Sequence, residues 1–553
     1  MRGSPSPHYI GLRRFKNLTL TLTRVNRQAL AILHAAMINT IKNTYRLTKA
    51  GAMLAWHGVG FVPDSITLPG PLRVLRGSGD DEPAAKRKEK GERLSKAIRA
   101  LGPTYIKLGQ FLATRPDVVG PQLAYALGSL RDRLPPFSVR EAHQEIEAAF
   151  GRPWNEVYED FGPPLAAASI AQVHKATVRT PTGPRAVAVK ILRPHIEKRF
   201  ERDLESFYFA AHTAERFSPQ TRRLRPVAAV DTLAQSVVLE MDLRLEAAAI
   251  SEIAENIAKG GDVGFRVPNV DWERTGKRVL TLDWIDAIPL SDLAAIDAAG
   301  LDRRALGLNV IRSFLKHAIR DGFFHADMHQ GNLFADPRDG SLVAVDFGIM
   351  GRLSPKESRF LAEILYGFIT KNYYRASEIH FEAGYVPATQ SVATFAQSLR
   401  AMGEPIMGRP AEEISMARLL TQLLENTEVF KMRMRPELLL LQKTMVVVEG
   451  VARSLDPRLN IWIAAEPVVR EWLTNQLGPR AQLRDMAANM NALAATLKQA
   501  PQLIERGARI VDALEAEKAE SEQPRSGSRW AIAIPLWVGA AALIVIASKL
   551  LLG

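Results

Sequence analysis

The 553-residue chain contains no cysteine. Disulfides, cysteine-ligated zinc or iron–sulfur centres and thiol nucleophiles are excluded on that ground. Acid is missing from one region: no Asp or Glu occurs between Met1 and Pro63, where Arg2, Arg13, Arg14, Lys16, Arg24, Arg27, Lys42, Arg46 and Lys49 lie. No internal repeat is visible. What is present is an ordinary globular balance, 47% hydrophobic and 24% charged, which excludes a mainly disordered chain. The net charge of +13 favours an acidic partner: nucleic acid, an anionic membrane surface or a nucleotide. No basic motif interleaved with aromatics occurs, so nucleic acid is not expected.

The two ends of the chain differ. Within the acid-free region Leu30, Leu33, Met37 and Ile41 recur at helical spacing and predict a basic amphipathic helix. The apolar run 29–38 is too short to span a bilayer, and no cleavage site follows a signal-peptide core. Such a segment fits a membrane surface, an organelle transit peptide, or an arm or helix docked on the body. The membrane surface is favoured, since acidic lipid heads attract such a face by roughly 1 kcal/mol per basic residue. At the other end, 530–548 carries no charge and is followed by Lys549 and three leucines. At about 1.5 Å per residue it reaches roughly 28 Å, close to the ~30 Å hydrocarbon core. The polar stretch 516–529 reads as a tether. The segment 530–552 therefore predicts a C-terminal transmembrane helix, with the body on the side where it is made.

Between the ends, 71–93 reads as a linker, with Gly77, Gly79, Pro83 and the charged run Lys86–Lys90. Helical patterns follow in Leu94/Ile98/Leu101, in 106–113 and in Leu123/Leu127/Leu130/Leu134. Around 161–192 the period changes: Val187, Val189 and Ile191 alternate with Ala186, Ala188 and Lys190, a half-buried strand. A broad-faced buried helix is expected over 305–319 and a short apolar strand over 342–345. Helices are expected from about 355 to the tether.

Chemistry-bearing features fall in one order. Leu165, Ala166, Ala167, Ala168, Ser169, Ile170, Ala171, Gln172 and Val173 form a small-residue turn where a backbone can approach a ligand closely. Lys190 lies on the strand face opposite Val187 and Val189. Glu240, Asp242 and Glu246 come next. Asp327 lies in His325-Ala326-Asp327, with Asn332 five positions on, and Asp346 opens Asp346-Phe347-Gly348. These are the parts for phosphoryl transfer from ATP or ADP, a reaction that asks mainly for positioning and charge neutralisation. A strand lysine pairs with phosphates, Asp327 orients or deprotonates an acceptor hydroxyl or water, and Asn332 with Asp346 supplies oxygens for Mg2+.

The arrangement resembles protein-kinase-like folds, and specifically the UbiB family of atypical kinases, the aarF-domain-containing kinases. Lys107-Leu108-Gly109-Gln110 matches the family's K-x-G-Q motif. The run 166–174 matches its alanine-rich loop, which replaces a glycine-rich loop. Glu240-Met241-Asp242 matches E-x-D, and His325-Ala326-Asp327, Asn332 and Asp346-Phe347-Gly348 match the catalytic and metal motifs. The resemblance implies an α+β, bilobal kinase-like fold. Its parts would be a basic helical region (1–82), a helical extension covering the cleft (83–155), an N-lobe (156–290), and a helical C-lobe with the helices after it (291–515). The tether (516–529) and transmembrane helix (530–552) would follow. Family likeness further implies ATPase-like activity at membranes and a part in ubiquinone biosynthesis, at polyprenylphenol ring modification. The expected partners are anionic lipid, a prenylated phenol or quinone precursor and other biosynthetic enzymes. The expected location is the cytoplasmic face of a bacterial inner membrane, with the mitochondrial inner membrane as the alternative.

Some roles stay open at this level. Ordinary kinase spacing would pair Lys190 with Glu205, whereas the family pattern favours Glu246. Lys107, Gln110, Glu240 and Asp242 read as a regulatory group, with Glu240 and Asp242 facing the Lys107 helix. His325 is expected to hold the loop backbone and His329 to be loop scaffolding; a zinc site on this pair lacks a third ligand. Two other function classes compete: a nucleotide-binding pseudokinase scaffold, and a small-molecule phosphotransferase.

Overall fold

The computed structural model describes residues 37–57, 84–113, 134–217, 225–407, 429–432 and 436–477, with isolated positions 34, 127, 130, 222, 426 and 427. The predicted transmembrane segment 530–552, the tether and most of the basic arm lie outside the described residues. Among the described residues no helix is long and apolar enough to cross a membrane. The chain divides into units Met1–Trp472 and Leu473–Gly553; the candidate site and both lobes as far as Trp472 belong to the first.

Helix α1 spans 37–56. Its inner face docks on a later helix: Asn43 accepts a hydrogen bond from Ser206 Oγ (3.0 Å), and Arg46 donates to the Arg202 carbonyl (3.0 Å). This part of the basic region is therefore a docked helix, and the membrane-surface expectation does not describe its inner face. Helix α2 covers Ala84–Leu101 and α3 Pro103–Ala113. The supposed linker thus turns helical at Ala84, because Ala, Lys, Arg and Glu are strong helix formers and outweigh the single Gly91. Leu94, Ile98, Ile106, Leu127 and Leu130 make a small core for this extension.

The N-lobe begins with α4 (Val139–Phe150), opened by a Ser138–Glu141 capping box, and the short α5 (Trp154–Val157). Strands β1 (Asp160–Ala167), β2 (Ala171–Thr180) and β3 (Gly183–Leu192) follow. Next come α6 (Ile196–Phe217), α7 (Pro226–Glu240) and α8 (Leu243–Gly260). Strands β4 (Phe265–Arg266), β5 (Val279–Asp283) and β6 (Ile288–Pro289) complete this half. One antiparallel sheet has the order β1-β2-β3-β5. Strand alternation gives it two faces. Val187, Val189 and Ile191 pack with Ala176, Val178, Val279 and the inner side of α4; the cross-strand row Ala166, Val173, Lys190, Leu280 lies on the other face.

The C-lobe contains α9 (Leu293–Ala298), α10 (Arg303–Ile319), β7 (Phe323–His325), β8 (Leu333–Ala335), β9 (Leu342–Ala344) and β10 (Met350–Arg352). It continues through α11 (Pro355–Ile369), α12 (Tyr373–Glu382), α13 (Val392–Met407), α14 (Pro436–Leu455) and α15 (Ile461–Leu477). Helix α10 is buried along Leu306, Val310, Phe314 and Ile319, as its pattern predicts. A second sheet, β4-β9-β8-β6, and the ribbon β7-β10 carry the loops that face the N-lobe.

Candidate active site

Lys190 projects from β3 between two carboxylates. Its Nζ lies 2.8 Å from Glu246 Oε1 and 2.8 Å from Asp346 Oδ1. Glu246 sits in the first turn of α8 and also accepts the Phe347 backbone N–H at 3.2 Å. Glu205 lies on α6 and pairs with Arg46, so the lysine partner is Glu246. Burial works against the ammonium of Lys190, yet the two carboxylates hold its pKa above the ordinary lysine value. Burial also opposes ionisation of Asp346, but Lys190 pulls that carboxyl far below the usual range. Glu246 moves the other way, raised by burial and by the charge of Asp346 against the pull of Lys190. Asp346 has φ +62°, a left-handed conformation that Asp tolerates better than most residues. That turn lets β9 end and the carboxylate swing back towards the lysine.

The loop between β7 and β8 is fixed by its own side chains. His325 Nδ1 accepts from Asp327 N–H (3.0 Å), and its other ring nitrogen reaches the Val345 carbonyl at 3.3 Å. That pattern requires the neutral Nε2–H tautomer, and burial lowers the His325 pKa accordingly. His325 therefore holds the loop backbone. Asn332 donates from Nδ2 to the Asp327 carbonyl (3.1 Å), which leaves its Oδ1 as the atom for a cation. Val345 N–H bonds the Asn332 carbonyl at 2.9 Å, so Asn332 and Asp346 flank the same end of the β8–β9 hairpin. The pair suits a hard cation completed by phosphate and water oxygens. His329 Nε2 stands 3.7 Å from Asp327 Oδ2 and its Nδ1 accepts from Gly331 N–H, a scaffolding role.

The alanine-rich string splits in two. Leu165, Ala166, Ala167 and Ala168 are open or half-buried, and Val173 shares the face of Lys190. Ser169, Ile170, Ala171 and Gln172 are buried, and of these Gln172 turns its side chain to the protein interior. The physical reason is that only 168–170 form the turn of a β-hairpin, and strand alternation then points Gln172 into the N-lobe core. There its side chain bonds the Phe137 backbone twice (2.9 and 3.2 Å) and His174 (2.8 Å). Arg193 clamps the turn from behind, donating to the Ala168 carbonyl through Nε (3.0 Å) and a terminal nitrogen (2.7 Å). Nothing local in the sequence marks Arg193; its role follows from the hairpin.

The K-x-G-Q helix α3 brings Lys107 to Glu240 at 2.5 Å, both largely buried, and the lysine's charge is felt at Asp346. Gln110 is half-buried on the same helix. Gly109 packs against the side chains of Leu130, Ile98 and Leu127: a Cβ there would lie 2.5 Å from Leu130 Cδ1, and that leucine would have to shift. Asp242, expected to face this helix, caps α8: its carboxylate accepts the Arg244 backbone N–H (3.2 Å) and its guanidinium (2.6 and 2.8 Å). The break between α7 and α8 creates that demand, because the first turn of α8 needs acceptors.

Known proteins resemble this chain. The ABC1 atypical kinase-like domain matches residues 129–380, and the UbiB helical domain matches 399–460. A "Probable protein kinase UbiB" of Marinobacter nauticus is 38% identical over 418 residues, 75% of each chain. The chain belongs to the UbiB family of atypical kinases. A UbiB protein of Aeromonas hydrophila is likewise 38% identical, over 75% of this chain and 76% of its own. The solved Rv3197–erythromycin complex of Mycobacterium tuberculosis has the same kinase-like fold, with TM-score 0.50 and 24% identity over 70% of this chain and 97% of that one. The α+β kinase-like architecture is thereby shown. Within the UbiB framework, α14 belongs to the helical domain, and it carries two residues that sequence reasoning missed: Thr444 donates to the Ala326 carbonyl (3.1 Å), and Ser454 accepts from the Gln330 side chain. Both contacts bridge more than a hundred residues, so no local pattern announces them.

Proposed function

We propose that this chain is a membrane-associated, Mg-nucleotide-dependent phosphotransferase or ATPase that serves ubiquinone biosynthesis. The observation that carries this reading is the convergence of Lys190, Glu246 and Asp346 at 2.8 Å contacts beside a loop presenting Asp327 and Asn332. Lys190 would hold phosphate oxygens, and Asp327 would accept the proton of a hydroxyl or water. Asn332 Oδ1 and Asp346 would hold Mg2+, which when bound offsets phosphate charge. Family membership supports the part in ubiquinone biosynthesis, and polyprenylphenol ring hydroxylation is the step this reading assigns to it.

Two features support membrane association. One is the uncharged segment at 530–548. The other is the outer face of α1, where Met37, Ile41, Tyr45 and Trp56 are exposed beside Lys42 and Lys49. The relatives come from bacteria, and this reading places the body on the cytoplasmic face of a bacterial inner membrane. The Arg193-clamped alanine turn favours a second reading, a nucleotide-binding scaffold without turnover, since a restrained turn with Cβ atoms suits retention over rapid transfer. The deciding experiment measures phosphate release from ATP by the full chain in phosphatidylcholine vesicles with and without phosphatidylglycerol and a prenylated phenol. Turnover that rises with either addition and vanishes in Asp346→Asn supports the enzyme. Tight Mg-nucleotide binding with turnover at the Asp346→Asn level under every condition supports the scaffold.

A further inference from the structure

Asp327 is held from inside its own loop by His325 and Asn332, and the loop is tied to the β9–β10 segment through Val345 and Ile349. Two further bonds fasten its other side, and both come from α14. Thr444 is fully buried, and its hydroxyl reaches the Ala326 carbonyl at 3.1 Å, one residue before Asp327. Ser454, ten positions on, accepts from Gln330 Nε2 and passes its own proton to the Val451 carbonyl at 2.6 Å. Ten helical residues span about 15 Å, so the helix and the loop run side by side and are joined at both ends. The loop's inward residues Ala326 and Met328 are buried, while Asp327 and His329 alternate outward. The helix itself is seated on α10, where Gly307 lets Ala452 and Leu459 approach so closely that a Cβ would meet Leu459 Cδ1 at 2.3 Å and the Ala452 carbonyl at 3.1 Å.

We propose that α14 is a brace for the catalytic loop and that Thr444 and Ser454 are positioning residues that fix Asp327 from both flanks. This gives the UbiB helical domain a direct mechanical role in the site, and it rests on the reading of Asp327 as the residue that handles the acceptor proton. The physical basis is the sensitivity of proton transfer to placement: displacement by about 1 Å far from the chemistry can lower a rate about 100-fold. Thr444 has an alternative partner in its own helix, the Leu440 carbonyl at 2.8 Å. Its single proton can serve one acceptor at a time, so the bond to Ala326 is one the helix can release without leaving the hydroxyl unpaired. Nucleotide contacts lie elsewhere, on Lys190 and the alanine turn, and are not expected to follow the brace.

The test compares the full-length chain in vesicles with Thr444→Val, Thr444→Ser, Ser454→Ala and the Thr444→Val/Ser454→Ala pair. Three readouts are taken: kcat and KM for Mg-ATP hydrolysis, equilibrium affinity for a fluorescent ADP analogue, and hydrogen exchange of the amides at 326–332. Thr444→Val is expected to lower kcat about tenfold with KM and nucleotide affinity within twofold of wild type, and the pair to lower it further. Thr444→Ser, which restores the donor, is expected to stay within twofold. Exchange at 326–332 is expected to quicken at least fivefold in Thr444→Val and to recover in Thr444→Ser, with α10 unchanged. Equal kcat and equal loop exchange in Thr444→Val and wild type overturn the brace. Loss that Thr444→Ser does not recover, or that extends to α10 exchange, also overturns it, since that is the signature of a merely structural residue. A wild-type chain without Mg-dependent turnover overturns the enzymatic reading instead, and the exchange data then decide the brace alone.

Discussion

Two lysines meet the same helical elbow and are used differently. Glu240 closes α7 and takes Lys107 from the helical extension; Glu246 opens α8 and takes Lys190 from the N-lobe sheet. The Lys107–Glu240 ion pair joins two helices. Lys190 instead lies between two carboxylates, which leaves one negative charge in excess among these three groups when all are ionised. An ion pair between helices fastens; a lysine outnumbered by carboxylates invites a cation. Asp346, with one oxygen on Lys190 and the other left over, is the group through which that invitation is made. A third buried glutamate marks the opposite extreme: Glu449 on α14 has Arg453 only at 3.9 Å and one carboxylate oxygen without a partner among the described residues.

The comparison can be broken from its strong side first. Lys190→Met should abolish most Mg-ATP turnover, about 10³-fold or ~4 kcal/mol in the barrier, and should also lower the thermal midpoint, because Glu246 is left buried without its cation. Measured turnover within tenfold of wild type contradicts the assignment. Lys107→Met, leaving Glu240 unpaired, should cost about 3–5 kcal/mol of stability. In a denaturant series the Lys107→Met/Glu240→Gln double variant should recover part of that loss, and strict additivity would mean that the pair is not coupled.

Glu449 sharpens the contrast through pH. Burial raises its pKa to about 7 against the weaker pull of Arg453. A raised carboxyl means that the native state binds the proton more tightly than the unfolded chain. Its contribution is therefore full below about pH 4.5 and is lost as pH rises through about 7. The shift corresponds to about 3 kcal/mol at pH 8. Glu449→Gln should raise the unfolding midpoint at pH 8 and leave it nearly unchanged at pH 4; equal midpoints at both values refute the shift. The smallest effect belongs to the cap at Asp242: Asp242→Ala should cost about 1 kcal/mol. Unchanged nucleotide affinity in that variant would confine Asp242 to capping, and a loss of affinity would support its place in the regulatory group.

Lys190, the buried face of β3 and helix α10 were legible because strand alternation and helical spacing are local properties of the chain. So was the order of Lys190, Asp327, Asn332 and Asp346, since the motif spacings lie within single loops and strands. Glu246 was readable only with the help of family likeness: spacing alone pointed to Glu205, which the fold places on another helix beside Arg46. Asp242 and Gln172 have local bonds that the motifs did not announce, for a common reason. A motif string says which residues recur together, but not which way each side chain turns, and both turned to local backbone demands, one at a helix end and one in a sheet core.

The sequence by itself therefore determined the chemical inventory of the cleft and the exclusion of cysteine chemistry, because composition and motif spacing suffice for those, and the fold class was legible through the family resemblance that the motifs carry. Tertiary structure alone decided which carboxylate meets which lysine, that Arg193 clamps the alanine turn, and that Thr444 and Ser454 flank Asp327. Those contacts join positions distant along the chain, and their existence depends on packing of whole elements, a quantity no local pattern encodes.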